Sequence, residues 1–479
     1  MGTSVRRVMK NKAGVKPDGV GRSRGGGREP EGGGKSPAGV PTELPARDRA
    51  RHLRWLLEIT QIPTAAGREQ RVAAWIRGWV EQRPELRLSQ DAAGNLVIEP
   101  RKRWGRKAGR GSGAGRPIFI TAHLDHPAFV VERVIGPGTV ELAFRGGVMD
   151  EYFVDARVVV HAGGERRIER AVGATLTGEG EGVASADGKE RLFKTYVAEL
   201  DEEVEDGGVE VGDVATWALP PAEVDGEGIV HTHACDDLAA VAAALSAMDA
   251  LVEGKKSGVR GCGGQDVRLI FTRSEEIGFT GAIAACKLKT MPKTARVIAL
   301  ENSRSFADSP IGGGPIVRVG DRMSVFSPQL TAACGKRAEQ IAGMKGGGVR
   351  EGWKWQRKLM AGGACEATVF CAYGYEATCL CLPLGNYHNM ADLTEVQAGT
   401  YDKERNGPPR IGREFIAMGD YEGLVDLLVA IGTELPEANP VVERIEKLYA
   451  KHAFVLKEGN QEGGRRKATA TTTKKARRG

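Results

Sequence analysis

Hydrophobic positions change their period along the chain, and the changes mark out its elements. In RDRARHLRWLLEIT, Leu53, Leu56 and Leu57 fall on one helical face, which predicts a first amphipathic helix. Pro63 and a turn at Ala66–Gly67 separate it from a second, REQRVAAWIRGWVEQ, whose Val72, Trp75, Ile76 and Trp79 share a side. DAAGNLVIEP reads as a turn leading into a strand. Further on, apolar β-prone runs recur at 117–122, 267–272, 295–300 and 376–382. An alanine-rich helix over 237–252 precedes the second run, and a helix over 280–289 separates the second from the third. Strands alternating with helices predict an α/β fold: a mixed, mostly parallel sheet covered by helices on both faces.

From 128 to 230 the pattern switches to short alternating strands, among them VVERVI, TVELAF, ARVVVHA and KTYVAEL, separated by Gly and Asp turns. This segment is expected to form a small inserted β-barrel or sandwich. The chain therefore divides into a catalytic α/β domain in two parts, 43–127 and 231–457, with the β domain 128–230 between them. Residues 101–116 form a basic glycine-rich loop. No internal repeat is evident.

Composition adds the ends of the chain to this picture. At 41% hydrophobic and 27% charged residues, a packed core is available and a wholly disordered chain is excluded. The net charge of +6 misleads until it is divided. Residues 1–40 carry nine Lys/Arg and three Asp/Glu, residues 457–479 carry eight and two, and the body between them is net acidic. The segments 1–42 and 458–479 lack apolar periodicity and are expected to be disordered basic tails. TATTTKKARRG offers nucleic-acid contact through phosphate charge, but no aromatic residue interrupts either tail to stack on bases, and a solvated tail is the favoured reading. The eight cysteines contain no CxxC pair and sit mostly in apolar runs, as reduced thiols of a cytoplasmic protein do. No run approaches ~18 apolar residues, and no apolar signal core opens the chain, so neither membrane spanning nor secretion is expected.

Candidate chemistry gathers where the α/β strands end. The run 117–122 leads into His123-Leu124-Asp125, 267–272 into Glu275-Glu276, 295–300 into Glu301, and 376–382 towards His388. Asp236-Asp237 opens the alanine-rich helix. Alone, each has an ordinary explanation: an Asp before a helix is an N-cap, adjacent Glu residues are a solvated turn, a single His is structural. Ligands in open α/β sheets gather outside the carboxyl ends of strands, and two His with several carboxylates converging there point to metal. His231 and His233, in HTHACDD, are read as structural, and Cys235 as a packed small residue.

In order along roughly 53–390, the pieces LLEITQIPTAAGREQRVAAWI, DAAGNLVIEP, TAHLDHPAFVV, VGDVATW, ACDDLAAVAAAL, FTRSEEIGFTGA, ALENS, AGGACEATVF and LPLGNYHNM resemble the two-metal zinc aminopeptidases of the tetrahedral, or glutamyl, type. These lie within a wider clan that includes aminoacylase-like and carboxypeptidase-like enzymes. The resemblance implies two divalent metal ions per chain, zinc with cobalt or manganese as alternatives. His123 and Glu301 would hold the first, Glu276 and His388 the second, and Asp236 would bridge them. Glu275 would be the general base acting on a metal-bound water, Asp125 would orient His123, and the Asp236–Asp237 bond would be cis. His126, Glu301 and Glu366 stand where the nearest relatives usually carry other residues.

The physics of these positions agrees with the roles. His123 and Asp125, at i and i+2 of extended chain, point to one side. A carboxylate beside a ligating imidazole fixes its tautomer. Adjacent Glu275 and Glu276 can face apart, one to metal and one to the attacking water. The expected function is thus a cytoplasmic aminopeptidase that removes N-terminal residues from peptides, with self-assembly implied by the resemblance. The alternatives are a related amidohydrolase (deacylase, dipeptidase or carboxypeptidase) and a non-catalytic protein whose basic tails contact nucleic acid.

Overall fold

The computed structural model of the protein describes residues 44–104, 115–163, 170–185, 187–204, 208–257, 262, 264–343, 352–436 and 439–456. The two basic tails and most of the 101–116 loop lie outside the described residues.

The described residues open with helices α1 (Ala46–Ile59) and α2 (Gln70–Glu81), followed by strands β1 (Leu86–Gln90), β2 (Leu96–Pro100) and β3 (Ile118–His123). Pro45 precedes α1 and Asp48 occupies its first turn, where the exposed backbone N–H groups favour an acidic side chain. Next come β4 (Ala128–Gly136), β5 (Thr139–Arg145), β6 (Arg157–Ala162), β7 (Arg170–Glu179), a ribbon of β8 (Val183–Ala184) and β9 (Arg191–Phe193), then β10 (Thr195–Leu200) and β11 (Val214–Trp217). The remainder contains β12 (Glu223–Val224), β13 (Ile229–Thr232), α3 (Leu238–Lys256), β14 (Val267–Thr272), α4 (Thr280–Leu288), β15 (Arg296–Arg304) and β16 (Ile316–Gly320). It closes with α5 (Pro328–Ala342), β17 (Gln356–Leu359), α6 (Glu366–Ala372), β18 (Glu376–Leu384), α7 (Leu393–Ala398), α8 (Lys403–Asn406), β19 (Glu414–Ala417), α9 (Met418–Thr433) and α10 (Pro440–His452).

Eight strands form one mixed sheet in the order β1-β2-β14-β3-β15-β18-β16-β17. Its centre is parallel: β14 with β3, β3 with β15, and β15 with β18. All six residues of β3 are buried, which explains why IFITAH reads as a continuous run and not as an alternation. Ile118 and Ile120 join the apolar cluster that holds α1, α2, α3 and α9, while Phe119 between them joins a second cluster with Ala282, Ala285, Val369 and Phe370. Helix α3 is buried from Leu238 to Asp249, and its alanines let it lie close to both β3 and α9.

Four strand runs expected from the sequence are present, and β15 and β18 extend further than their apolar stretches. Their register continues to Arg304 opposite Leu384, so Glu301 lies inside a strand and not beyond its end. Backbone pairing carries that strand past the last apolar residue.

Six strands, β10-β5-β4-β11-β6-β7, close into a barrel. Closure leaves no unpaired edge among them. Its core is aromatic: Phe153 stacks on Tyr196 at 4.3 Å between centroids, and Phe129 meets Trp217 edge-on at 4.8 Å. Each such pair adds about 0.5–1.5 kcal/mol beyond area burial. The barrel starts five residues after His123, and the chain leaving it runs through β13 to Asp236. No helix among the described residues is long and apolar enough to cross a membrane.

Candidate metal centre and active site

His123 ends β3, and its ring is fixed from behind. Nδ1 lies 3.0 Å from the Asp125 carbonyl, which can only accept, so Nδ1 carries the hydrogen and Nε2 is left bare towards the sheet's carboxyl end. The Asp125 carboxylate is farther from that ring, at 3.5 Å. It accepts instead from the backbone N–H of Glu275 (2.9 Å) and of Glu276 (3.0 Å). Asp125 thus ties the loop after β14 to the loop after β3, a task that i,i+2 geometry alone did not indicate.

His388 is held the same way from a different source. Its Nδ1 faces the carbonyl of Gly147, in the loop that follows barrel strand β5, at 2.6 Å. The backbone here is left-handed at Asn386, His388 and Asn389, with φ of 50°, 54° and 64°. Non-glycine residues adopt that region at a cost, and persist there when their surroundings fix them. Here Asn386 donates to the Arg413 carbonyl, and Asn389 donates to the carbonyls of His233 and Gly412.

Between these imidazoles stands Asp236, whose bond to Asp237 is cis. Its Oδ1 lies 3.4 Å from His123 Nε2 and its Oδ2 3.5 Å from His388 Nε2. Glu276 Oε1 lies 3.4 Å from His388 Nε2. Single ligand atoms of His123, Glu275 and Glu301 lie within 4.8 Å of one another, as do those of Asp236, Glu276 and His388. The structure thus brings together the seven residues for which the resemblance implies a ligand, base or orienting role: His123, Asp125, Asp236, Glu275, Glu276, Glu301 and His388. Asp237 turns away: its carboxylate accepts from the His123 N–H at 3.1 Å and from Asn302 at 2.8 Å.

Five buried atoms in this cluster have no hydrogen-bond partner: His123 Nε2, Asp236 Oδ1, Glu276 Oε1, Glu301 Oε2 and His388 Nε2. Buried polar atoms are normally satisfied, so five converging orphans mark a site with the donors to hold a cation. Two imidazole nitrogens with carboxylate oxygens suit zinc and its first-row neighbours. The charge balance agrees. Burial raises the Glu275 carboxyl well above its usual range; His123 opposes this, and Glu276 and Asp125 add to it. Burial also raises Glu301, and the Asp236 charge pushes it further. For His388, burial acts downward, but Glu276 and Asp236 overcome it and raise the imidazole. Packed anions of this kind are stabilised by positive charge.

The remaining sequence candidates fall outside the cluster. His231 pairs with Asp225 at 3.0 Å, and His233 meets the Pro220 carbonyl at 2.8 Å. Cys235 is fully buried, and burial raises its thiol well above the usual value. His126 directs both ring nitrogens at the scaffold, Nδ1 at the Asp236 carbonyl and Nε2 at Asn389 Oδ1, 3.0 Å away. Glu366 is buried under the site and accepts from Thr121 at 2.9 Å.

Two supporting residues escaped the sequence reading. Asn302 follows Glu301 within ALENS and joins the Cys235 carbonyl to the Asp237 carboxylate. Glu414, on β19, accepts from the N–H groups of Cys235, Asp236 and His388. Asn302 had the signal of its neighbour, whereas Glu414 sits in an unmarked strand.

Fold and site together define a metallopeptidase of the co-catalytic zinc exopeptidase clan. More narrowly, the chain belongs to the M42 glutamyl aminopeptidase family, whose model matches residues 106–400, and it is a metallo-aminopeptidase. Among solved structures it is similar to the TET1 peptidase of Pyrococcus horikoshii, which can assemble into a tetrahedron or a large octahedral shell. That match has 20% identity and a TM-score of 0.58, covering 81% of this chain and 100% of that one. An aminopeptidase from the archaeon Desulfurococcus kamchatkensis gives 18% identity and a TM-score of 0.58, with 82% and 96% covered. A TET aminopeptidase from a marine-sediment Thaumarchaeota archaeon gives 16% and 0.59, with 81% and 97% covered. At such identities the likeness concerns the fold. No curated protein sequence matches the chain.

Proposed function

We propose that this protein is a dinuclear metal-dependent aminopeptidase acting on the N-terminal residue of peptides. The observation that carries the reading is the convergence of five unpartnered, buried ligand atoms at one end of the sheet. In this reading His123, Asp236 and Glu301 hold one divalent ion, and Asp236, Glu276 and His388 hold the other. Zinc fits the donor set best; cobalt and manganese are alternatives. Bound there, the ions would supply the Lewis acidity that polarises the scissile carbonyl and activates water.

The chain's own residues do the rest. Glu275 reaches towards His123, its Oε2 lying 3.9 Å from Nε2, but the neighbouring Glu276 takes the metal-facing role beside His388. Burial raises its proton affinity, with the Glu276 and Asp125 charges adding to this and the His123 imidazole opposing it. Glu275 takes a proton from the attacking water and passes it to the leaving amine. Asp125 keeps Glu275 and Glu276 in register by binding both backbone N–H groups. A cavity of about 630 Å³ opens beside Glu301 and Tyr387, lined also by Arg304, Phe306 and Met390, and receives the N-terminal side chain.

The frame proposed for it has helices on both sheet faces and an inserted β domain over 128–230 between the two parts of a catalytic α/β domain. Assembly of several copies, as the TET1 peptidase is known to form, and a cytoplasmic location complete the proposal. Screening metal-loaded protein against aminoacyl, acyl-amino-acid and dipeptide substrates tests it. Turnover of aminoacyl substrates is expected, and turnover confined to acylated amino acids would make it a deacylase.

A further inference from the structure

Helix α10 is out of keeping with the rest of the surface. Val441, Val442, Ile445, Leu448 and Tyr449 are each between 45% and 60% exposed. On a helix these positions fall in one sector, and Val441, Ile445 and Leu448 follow the 4-3 spacing of a seam that receives a partner helix. His452 and Val455 continue that spacing, with Val455 52% and Leu456 65% exposed. The opposite side of the helix faces the body: Glu443, across from that sector, pairs with Lys336 of α5 at 3.3 Å. Among the described residues, nothing covers the apolar sector.

We infer that this sector binds the same sector of α10 in a second copy of the chain. Val441, Val442, Ile445, Leu448, Tyr449, Val455 and Leu456 expose on the order of 700 Å², close to the ~800 Å² that each partner brings to a standard stable interface. Monomers rarely leave a patch of that size in water. A self-complementary seam joins two copies about a two-fold axis, so one helix supplies both halves. The polar residues argue against a lipid surface as the occupant. Glu443 and Glu446 alternate with Arg444, Lys447 and Lys451, whereas a helix lying on anionic lipid carries a predominantly basic polar face. This contact lies outside the matched residues 106–400 and does not depend on the catalytic reading.

The test uses the full chain carrying Ile445→Cys, Leu448→Cys or His452→Cys, oxidised by copper phenanthroline. The native cysteines are buried or half-buried, so the unsubstituted chain serves as the background. At least one substituted chain is expected to form a covalent pair of copies. The double variant Ile445→Glu/Leu448→Glu is expected to sediment as a smaller species while keeping its melting temperature and peptidase turnover. Absence of cross-linking at all three positions, with unchanged sedimentation of the double variant, overturns the inference. So does capture of the wild-type chain by phosphatidylserine vesicles that the double variant escapes, which would make lipid the occupant.

Discussion

The carboxylate of Glu414 binds the backbone N–H of Asp236 at 3.0 Å, and through its other oxygen it binds that of His388 at 2.8 Å. One side chain on β19 thereby sets the spacing of two loops that are distant in sequence and that both carry proposed ligands. Glu414→Gln replaces one acceptor oxygen with an N–H₂ group facing a backbone donor. Metal affinity, read in a buffered titration, is expected to fall by about 10- to 100-fold, as it does when groups supporting ligands are lost. Affinity equal to wild type would reduce Glu414 to a packing role.

Asp236 is expected to serve both ions. Asp236→Asn should therefore bring the stoichiometry from about two ions per chain towards none, whereas Glu276→Gln should weaken only one of the two sites. Elemental analysis of dialysed, reloaded protein distinguishes the cases. Loss of a single ion from the Asp236 variant would remove its bridging role.

A second buried carboxylate concerns stability. Asp249 on α3 accepts from Arg83 at 2.8 Å and faces His52 at 3.3 Å, and Arg51 also binds it. Burial acts to raise its pKa, but these partners overcome it and bring the value from 3.8 to about 2. A carboxylate depressed in the folded state stabilises above its unfolded pKa and loses that contribution as pH falls through the folded one. The shift corresponds to roughly 2 kcal/mol. Asp249→Asn should lower stability at neutral pH by at least about that amount, and the gap in denaturation midpoint should narrow as pH falls from about 5 to about 3. A gap constant over that range would mean that packing, not charge, sets it.

Much of this was legible before any coordinates. His123, Asp125, Asp236, Glu275, Glu276, Glu301 and His388 announce themselves because each closes or follows an apolar run; the structure gathers six of them at one end of the sheet and sets Asp125 behind them, on the Glu275 and Glu276 N–H groups. The period-2 texture after His126 marked the β segment, and six of its strands form a barrel. What escaped was carried by backbone atoms. Gly147 fixes His388 through its carbonyl, and Glu414 acts on N–H groups, so neither leaves a spacing in the side-chain pattern. Strand β16 was also missed: its Arg318 is an almost fully buried charge, against the usual pattern of apolar interior positions.

The central claim is that Glu275 is the base and its neighbour Glu276 a ligand. Glu275→Gln keeps size and shape but removes the proton acceptor, so a single variant separates the two roles. Metal content and turnover of an aminoacyl substrate should be measured on the same sample. The ions should remain near two per chain, while kcat falls by about 10²–10⁴-fold with little change in substrate binding. A Glu275→Gln protein that keeps its metal and more than about half its kcat would contradict the account.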